Sequence, residues 1–285
     1  MTLAIAVTAV GLAGALLAER AGARAAMWLT KPVASAGFLL AAWLAGAEGS
    51  DYGRLILAGL VLSWLGDVLL IPRARAWFLA GLGAFLLAHV VYAVAFALRG
   101  VSPRATAVAC VPIVVVGVLV LRWLRPHVPR RMRAPVVAYV VAISTMVALA
   151  IGTFAARGDL RVLAGAILFW ISDLFVARNR FVSPGLENRV MGLPPYYAAQ
   201  LLLAASCSFR GEPSSPRLGL APARPPLSPA SMTPSGSLRR SVVALEAPAQ
   251  KRRGPSGKLD GGRRLARPEP RGRRHPPPPT PVTAP

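Results

Sequence analysis

The order of apolar and polar positions divides the chain into two unlike parts. Over residues 1–208, runs of Leu, Val, Ala, Ile and Phe alternate with short connections carrying Arg, Gly or Pro, as at Arg73-Ala-Arg75 and Arg99-Gly-Val-Ser-Pro103. A membrane-crossing helix needs about 20 mostly apolar residues. Eight stretches meet or approach that length: 2–18, 25–46, 54–71, 77–98, 105–121, 134–155, 161–177 and 194–208. They predict an all-α fold, a polytopic bundle of about eight transmembrane helices. The eighth is short and opens with Pro194-Pro195, which makes it the weakest span. The first could be mistaken for a cleaved signal, but no Lys or Arg precedes it, whereas a secretory leader normally starts with positive charge.

Composition agrees with the pattern. The 285 residues are 54% hydrophobic and 15% charged, with a mean hydropathy of +0.52. A soluble domain has roughly 45–50% apolar and 25% charged residues, so a single soluble domain is excluded. Residues 210–285 are different: 15 Lys/Arg against 4 Asp/Glu in a Pro-, Arg-, Gly- and Ser-rich text. Such a segment buries too little apolar surface to offset its ordering entropy. The expected organisation is a transmembrane domain over 1–208 and a disordered basic tail over 209–285. Cys110 and Cys207 stand alone in apolar runs, which excludes a disulfide scaffold.

Basic residues in short loops mark the cytoplasmic side of a membrane protein. The odd-numbered connections carry twelve Arg and the even-numbered ones five. The odd loops are therefore expected inside and the N-terminus outside. With eight spans the basic tail would also lie outside; either it escapes the rule, as long segments do, or the last helix does not cross. The expected location is a bacterial cell membrane.

The chain also repeats a pattern. Leu62-Ser-Trp-Leu-Gly-Asp67 leads to Arg73-Ala-Arg75, and Leu168-Phe-Trp-Ile-Ser-Asp173 leads to Arg178-Asn-Arg180. Each has Trp three residues before Asp, a small residue just before it and an Arg-x-Arg exit. The two lie four spans apart and so cross in the same direction, as in a parallel 4+4 duplication. Chance likeness between two apolar segments is the alternative.

Asp67 and Asp173 are also the acidic residues set within apolar runs. A carboxylate at membrane depth costs at least about 2.5–3.5 kcal/mol, which makes it a candidate functional group by default; the plainer alternative is an Asp that bonds a neighbouring helix. Helical rise places both roughly 8–9 Å below the same face. Lys31, Tyr196, Tyr197 and Gln200 fall in that layer by the same reckoning. His89 falls outside it, about 18 Å down, and reads as a packed histidine rather than a partner of the aspartates. Two carboxyls in one poorly solvated layer oppose each other's ionisation, leaving one as a general acid and the other as a base. Lys31 would moderate their repulsion or bind phosphate, or it snorkels from a helix end. Other chemistries find no support. No Gly-x-Ser-x-Gly elbow occurs, and His89, His127 and His275 do not cluster for zinc. Gly81-Leu-Gly83 is a helix-packing pair rather than a nucleotide loop.

Thr30-Lys-Pro32, Gly66-Asp67, Phe78-Leu-Ala-Gly81 through His89-Val-Val-Tyr92, Ser172-Asp173, Asn179-Arg-Phe181 and Tyr196-Tyr-Ala-Ala-Gln200 occur in that order. In this the chain resembles the YhhN, lysoplasmalogenase-like family of eight-helix membrane proteins over nearly all of 1–208. The resemblance implies hydrolysis of the vinyl ether bond of lysoplasmalogens to a fatty aldehyde and a glycerophospho-head group, with Asp67 and Asp173 catalytic and no cofactor. It brings in Lys31, His89, Tyr92, Asn179, Tyr196, Tyr197 and Gln200 as motif positions without assigned roles. The implied partners are a lysophospholipid substrate and membrane lipid. No nucleic acid is expected, and the tail would bind anionic surfaces only non-specifically. The 75-odd residues after the Tyr-Gln helix depart from the family and read as a frameshift near residue 207 or a low-complexity extension. The rival reading of paired membrane aspartates is a proton-coupled transporter or lipid carrier.

Overall fold

The computed structural model describes residues 1–72 and 74–208; the tail expected over 209–285 and the exit residue Arg73 lie outside them. Eight helices follow one another: α1 (Thr2–Arg20), α2 (Arg24–Leu44), α3 (Asp51–Leu69), α4 (Arg75–Arg99), α5 (Pro103–Leu124), α6 (Arg133–Arg157), α7 (Leu160–Ala177) and α8 (Leu186–Ala205). Seven of these, α1 to α7, are long and apolar enough to cross a membrane. The protein is a multi-pass integral membrane protein.

Local chemistry sets the helix ends. Ser50 caps α3 by accepting from the Gly53 amide at 3.0 Å, and Asp159 caps α7 by accepting from the Arg161 amide at 3.1 Å. Ser102 followed by Pro103 opens α5 in the same way, with proline at a position that needs no amide donor. Gly100 and Gly158 close α4 and α6 at φ 102° and 72°, backbone that a side chain would strain.

Two departures from the sequence reading concern the last helices. After Ala177 the chain continues as a π-helical turn over Arg178–Val182. Then α8 begins at Leu186, eight residues before the expected start, and runs through Pro194 and Pro195. Its first turns, Leu186-Glu-Asn-Arg189, are polar and read as loop, but Asn188 is buried there. It accepts from Arg178 and donates to the Ser183 carbonyl at 2.8 Å, and so ties the π turn to α8.

Neighbours in sequence pair closely as α1 with α2, α3 with α4 and α7 with α8. Small residues allow it: a Cβ on Gly66 would stand 2.6 Å from the Phe85 ring, and one on Gly59 would stand 2.3 Å from the Tyr92 ring. The halves are joined by α2 against α8 and α4 against α6. These two contacts exchange with each other if α1–α4 is mapped onto α5–α8. The helix α5 packs on α6 at the edge of the bundle and turns Val108, Val111, Val115 and Leu119 outward, a surface suited to lipid tails.

Candidate active site

Asp67 stands near the end of α3, 3% exposed. Three donors converge on it. Ser35 of α2 and Tyr196 of α8 each donate a hydroxyl to Oδ2 at 2.6 Å. The Lys31 ammonium lies 3.2 Å from Oδ1 and donates to the Asp67 carbonyl at 3.2 Å. Lys31 and Ser35 are four residues apart on α2, so one helical face presents both. Lys31 is 2% exposed; it does not snorkel, and its charge is committed to Asp67.

The Tyr196 hydroxyl is aimed by packing. Its ring meets Phe85, Phe169 and Tyr197 with centroids 5.8, 5.5 and 4.9 Å away, edge-to-face arrangements that favour one rotamer. Tyr197 turns instead toward Ser35, with the two hydroxyls 3.3 Å apart.

Asp173 on α7 has different company. Tyr139 of α6 donates to its Oδ2 at 2.8 Å. His89 of α4 brings Nε2 to 3.4 Å from the same oxygen, within ion-pair range but outside hydrogen-bond geometry. His89 is thus beside an aspartate, contrary to the depth reckoning. That reckoning ended the seventh helix at Arg178, whereas the π turn extends the helical run to Val182. Asp173 therefore sits roughly 14 Å from the end of that run at the helical rise, closer to the level of His89 than the count from Arg178 gives. The imidazole is fully buried, held between Phe169 and Tyr139 at centroid distances of 4.5 and 5.1 Å.

The two aspartates are therefore held alike. Each bonds the second helix of its own half (Ser35 on α2, Tyr139 on α6) and meets the fourth helix of the other half (Tyr196 on α8, His89 on α4). The donors on the second helices precede their aspartates by 32 and 34 residues. Tyr139 and Ser35 were not among the candidate residues. Serine and tyrosine in an apolar helix carry no alarm of their own, and only the spacing to the next aspartate could have marked them.

Both aspartates line one cavity of about 700 Å³, a volume typical of small-molecule sites. One end is rimmed by the odd-numbered connections and carries Glu19, Asn179, Arg180, Asn188 and Arg189. The lining is apolar along Gly117 and Val120 of α5 and Val136, Val140 and Ile143 of α6. Asn179 belongs to the rim as a fastener, accepting from the Gly185 amide at 3.0 Å. Tyr92 and Gln200 are not brought to the aspartates. They bond each other at 2.8 Å, fully buried between α4 and α8. Asp159, expected at a helix end, is 1% exposed and pairs with Arg99 at 2.8 Å and Arg161 at 3.0 Å. It closes the opposite end of the bundle, away from this cavity.

Comparison with known proteins adds a second line. The sequence pattern of the YhhN family matches residues 26–207. Lysoplasmalogenase TMEM86A of Bos taurus is 31% identical over 182 residues, 62% of this chain and 74% of that protein. The lysoplasmalogenase of Mycobacterium tuberculosis is 33% identical over 187 residues, 63% of this chain and 70% of that protein. Lysoplasmalogenase TMEM86B of Homo sapiens is 34% identical over 174 residues, 60% and 69% respectively. No solved structure matches.

Proposed function

This chain belongs to the YhhN family, and from that membership and the chemistry of the cavity we propose that it hydrolyses the vinyl ether bond of lysoplasmalogen-type lysophospholipids by Asp67/Asp173 acid–base catalysis. The supporting relatives are enzymes named lysoplasmalogenase. The observation that carries the mechanism is the unequal donor supply to two carboxyls on one amphiphilic cavity.

Asp67 receives two hydroxyls and an ammonium, a set that suits an acceptor-only carboxylate. Asp67 is the base. Asp173 receives the Tyr139 hydroxyl on Oδ2, and among the described residues no hydrogen bond reaches its Oδ1. That oxygen carries the proton, and Asp173 is the acid. The reaction begins when Asp173 delivers its proton to the alkene carbon remote from oxygen, leaving an oxocarbenium ion beside the ether oxygen. The Asp67 carboxylate offsets that positive charge and takes a proton from the attacking water. The resulting hemiacetal collapses when Asp173 accepts the hydroxyl proton while Asp67 returns its proton to the departing glycerol oxygen. One water is consumed, an aldehyde and a free alcohol leave, and both carboxyls regain their starting states.

The apolar α5–α6 wall suits the single hydrocarbon chain and the polar rim suits the head group. We place the enzyme in a bacterial cell membrane, a reading supported by the mycobacterial relative. The test is aldehyde release by the purified full chain in detergent. Release from a 1-alkenyl lysophospholipid but not from its 1-acyl analogue is expected; release from neither would refute the assignment.

A further inference from the structure

Six charged or acidic side chains line the cavity: Lys31, Arg180 and Arg189 against Glu19, Asp67 and Asp173. Their pairing is uneven. Lys31 is spent on Asp67 at 3.2 Å. Arg189 leans on Glu19 at 3.7 Å, a loose pair joining α8 to α1. Arg180 pairs with no carboxylate among the described residues; its guanidinium lies 4.1 Å over the Phe78 ring, at the rim of the same cavity. With Asp173 carrying its proton, the wall holds one uncompensated positive charge, that of Arg180.

We propose that Arg180 and Arg189 form the subsite for the phosphodiester of the lysophospholipid, an inference that rests on the hydrolase reading above. A phosphodiester carries one negative charge, which matches the surplus. Arginine presents a planar fork of donors suited to phosphate oxygens. The Phe78 ring holds the Arg180 fork by stacking, which lowers the entropy lost on binding. The loose Glu19 contact keeps Arg189 at the rim without saturating its donors. Arg180 and Arg189 line the same cavity as Asp67 and Asp173. A phosphate held at the rim therefore leaves the glycerol backbone and its vinyl ether within the cavity that the aspartates line, with the chain along the apolar α5–α6 wall. Lys31, the phosphate candidate of the sequence, already pairs with Asp67 at 3.2 Å, so the phosphate is assigned to the two arginines instead.

The experiment compares two substrates on the purified full chain: 1-alkenyl glycerophosphoethanolamine and 1-alkenylglycerol, which has the same reactive bond and no phosphate. Arg180→Gln and Arg189→Gln should each lower the ratio of kcat/KM values, phosphorylated over phosphate-free, by about tenfold, the worth of one charge-assisted hydrogen bond. The loss should appear in KM. Arg180→Lys should keep part of the ratio, and it serves if the glutamine variant fails to fold. Glycerophosphoethanolamine should inhibit the wild type about tenfold better than either variant. A ratio equal in wild type and variants would overturn the subsite while leaving the hydrolase standing. If the wild type cleaves neither substrate, the hydrolase reading falls, and calorimetric binding of glycerophosphoethanolamine decides the subsite alone. Binding weakened in Arg180→Gln would uphold it; equal or absent binding would overturn it.

Discussion

The Tyr139 hydroxyl on α6 donates to Asp173 on α7 at 2.8 Å, as Ser35 on α2 donates to Asp67 on α3. The two halves of the bundle thus hold their carboxyls by the same device. They differ in what else arrives: an ammonium and a phenol at Asp67, an imidazole at Asp173. That difference separates base from acid in the proposed mechanism.

Breaking the Lys31–Asp67 pair from one side should be costly. Lys31→Met leaves a carboxylate 3% exposed without its cation, and removing one partner of a buried pair costs about 3–5 kcal/mol. The variant should lose several degrees of Tm in detergent and most of its turnover. Lys31→Met combined with Asp67→Leu should recover the Tm but not the activity. A single variant as stable as the wild type would show that the pair carries no structural weight.

Tyr139→Phe removes one hydroxyl and leaves the ring packed against His89. A net loss of about 1 kcal/mol is expected for a hydrogen bond, so kcat should fall about fivefold with little change in KM. A kcat equal to that of the wild type would separate the 2.8 Å contact from the chemistry.

Gly117 lines the apolar α5–α6 wall of the cavity. A Cβ there would meet Ser144 and Val140 at 3.6 Å, an ordinary contact, so Ala should be tolerated. Gly117→Phe should fill the chain site and shift preference toward shorter substrates, by about tenfold or more in the ratio of short to long kcat/KM. Competition between substrates of two chain lengths reads this directly, and an unchanged ratio would move the chain elsewhere.

Much of this was legible in the sequence, and the rest was hidden for definite reasons. The apolar runs marked all eight helices, because lipid demands unbroken spans. Asp67 and Asp173 stood out because a charge in such a run is costly. The start of α8 was missed because Glu187, Asn188 and Arg189 read as loop, whereas Asn188 and Arg189 line the polar rim of a cavity and Glu187 pairs with Arg178 at 3.4 Å. His89 was misplaced because depth counted from apolar edges ignores the π turn after α7. Ser35 and Tyr139 were invisible because hydroxyls are commonplace in membrane helices. Arg189 counted only as loop charge, and Arg180 only as part of the Arg-x-Arg exit and the Asn179-Arg-Phe181 motif, until the cavity gathered them.

Proton delivery to carbon leaves a permanent mark. In deuterium oxide the aldehyde released should carry one deuterium on the carbon next to the carbonyl, and turnover should slow by a normal solvent isotope effect. Mass spectrometry of the trapped aldehyde checks it. An unlabelled position would mean that the alkene carbon is not protonated.

The central claim is that both aspartates act on the reacting bond. Aldehyde release from a 1-alkenyl lysophospholipid by purified Asp67→Asn and Asp173→Asn, each shown to be folded by its elution and Tm, tests it most directly. Each substitution should lower kcat by about 10²–10⁴-fold, the usual contribution of a positioned acid or base. Turnover within a few-fold of the wild type in either folded variant would contradict the account.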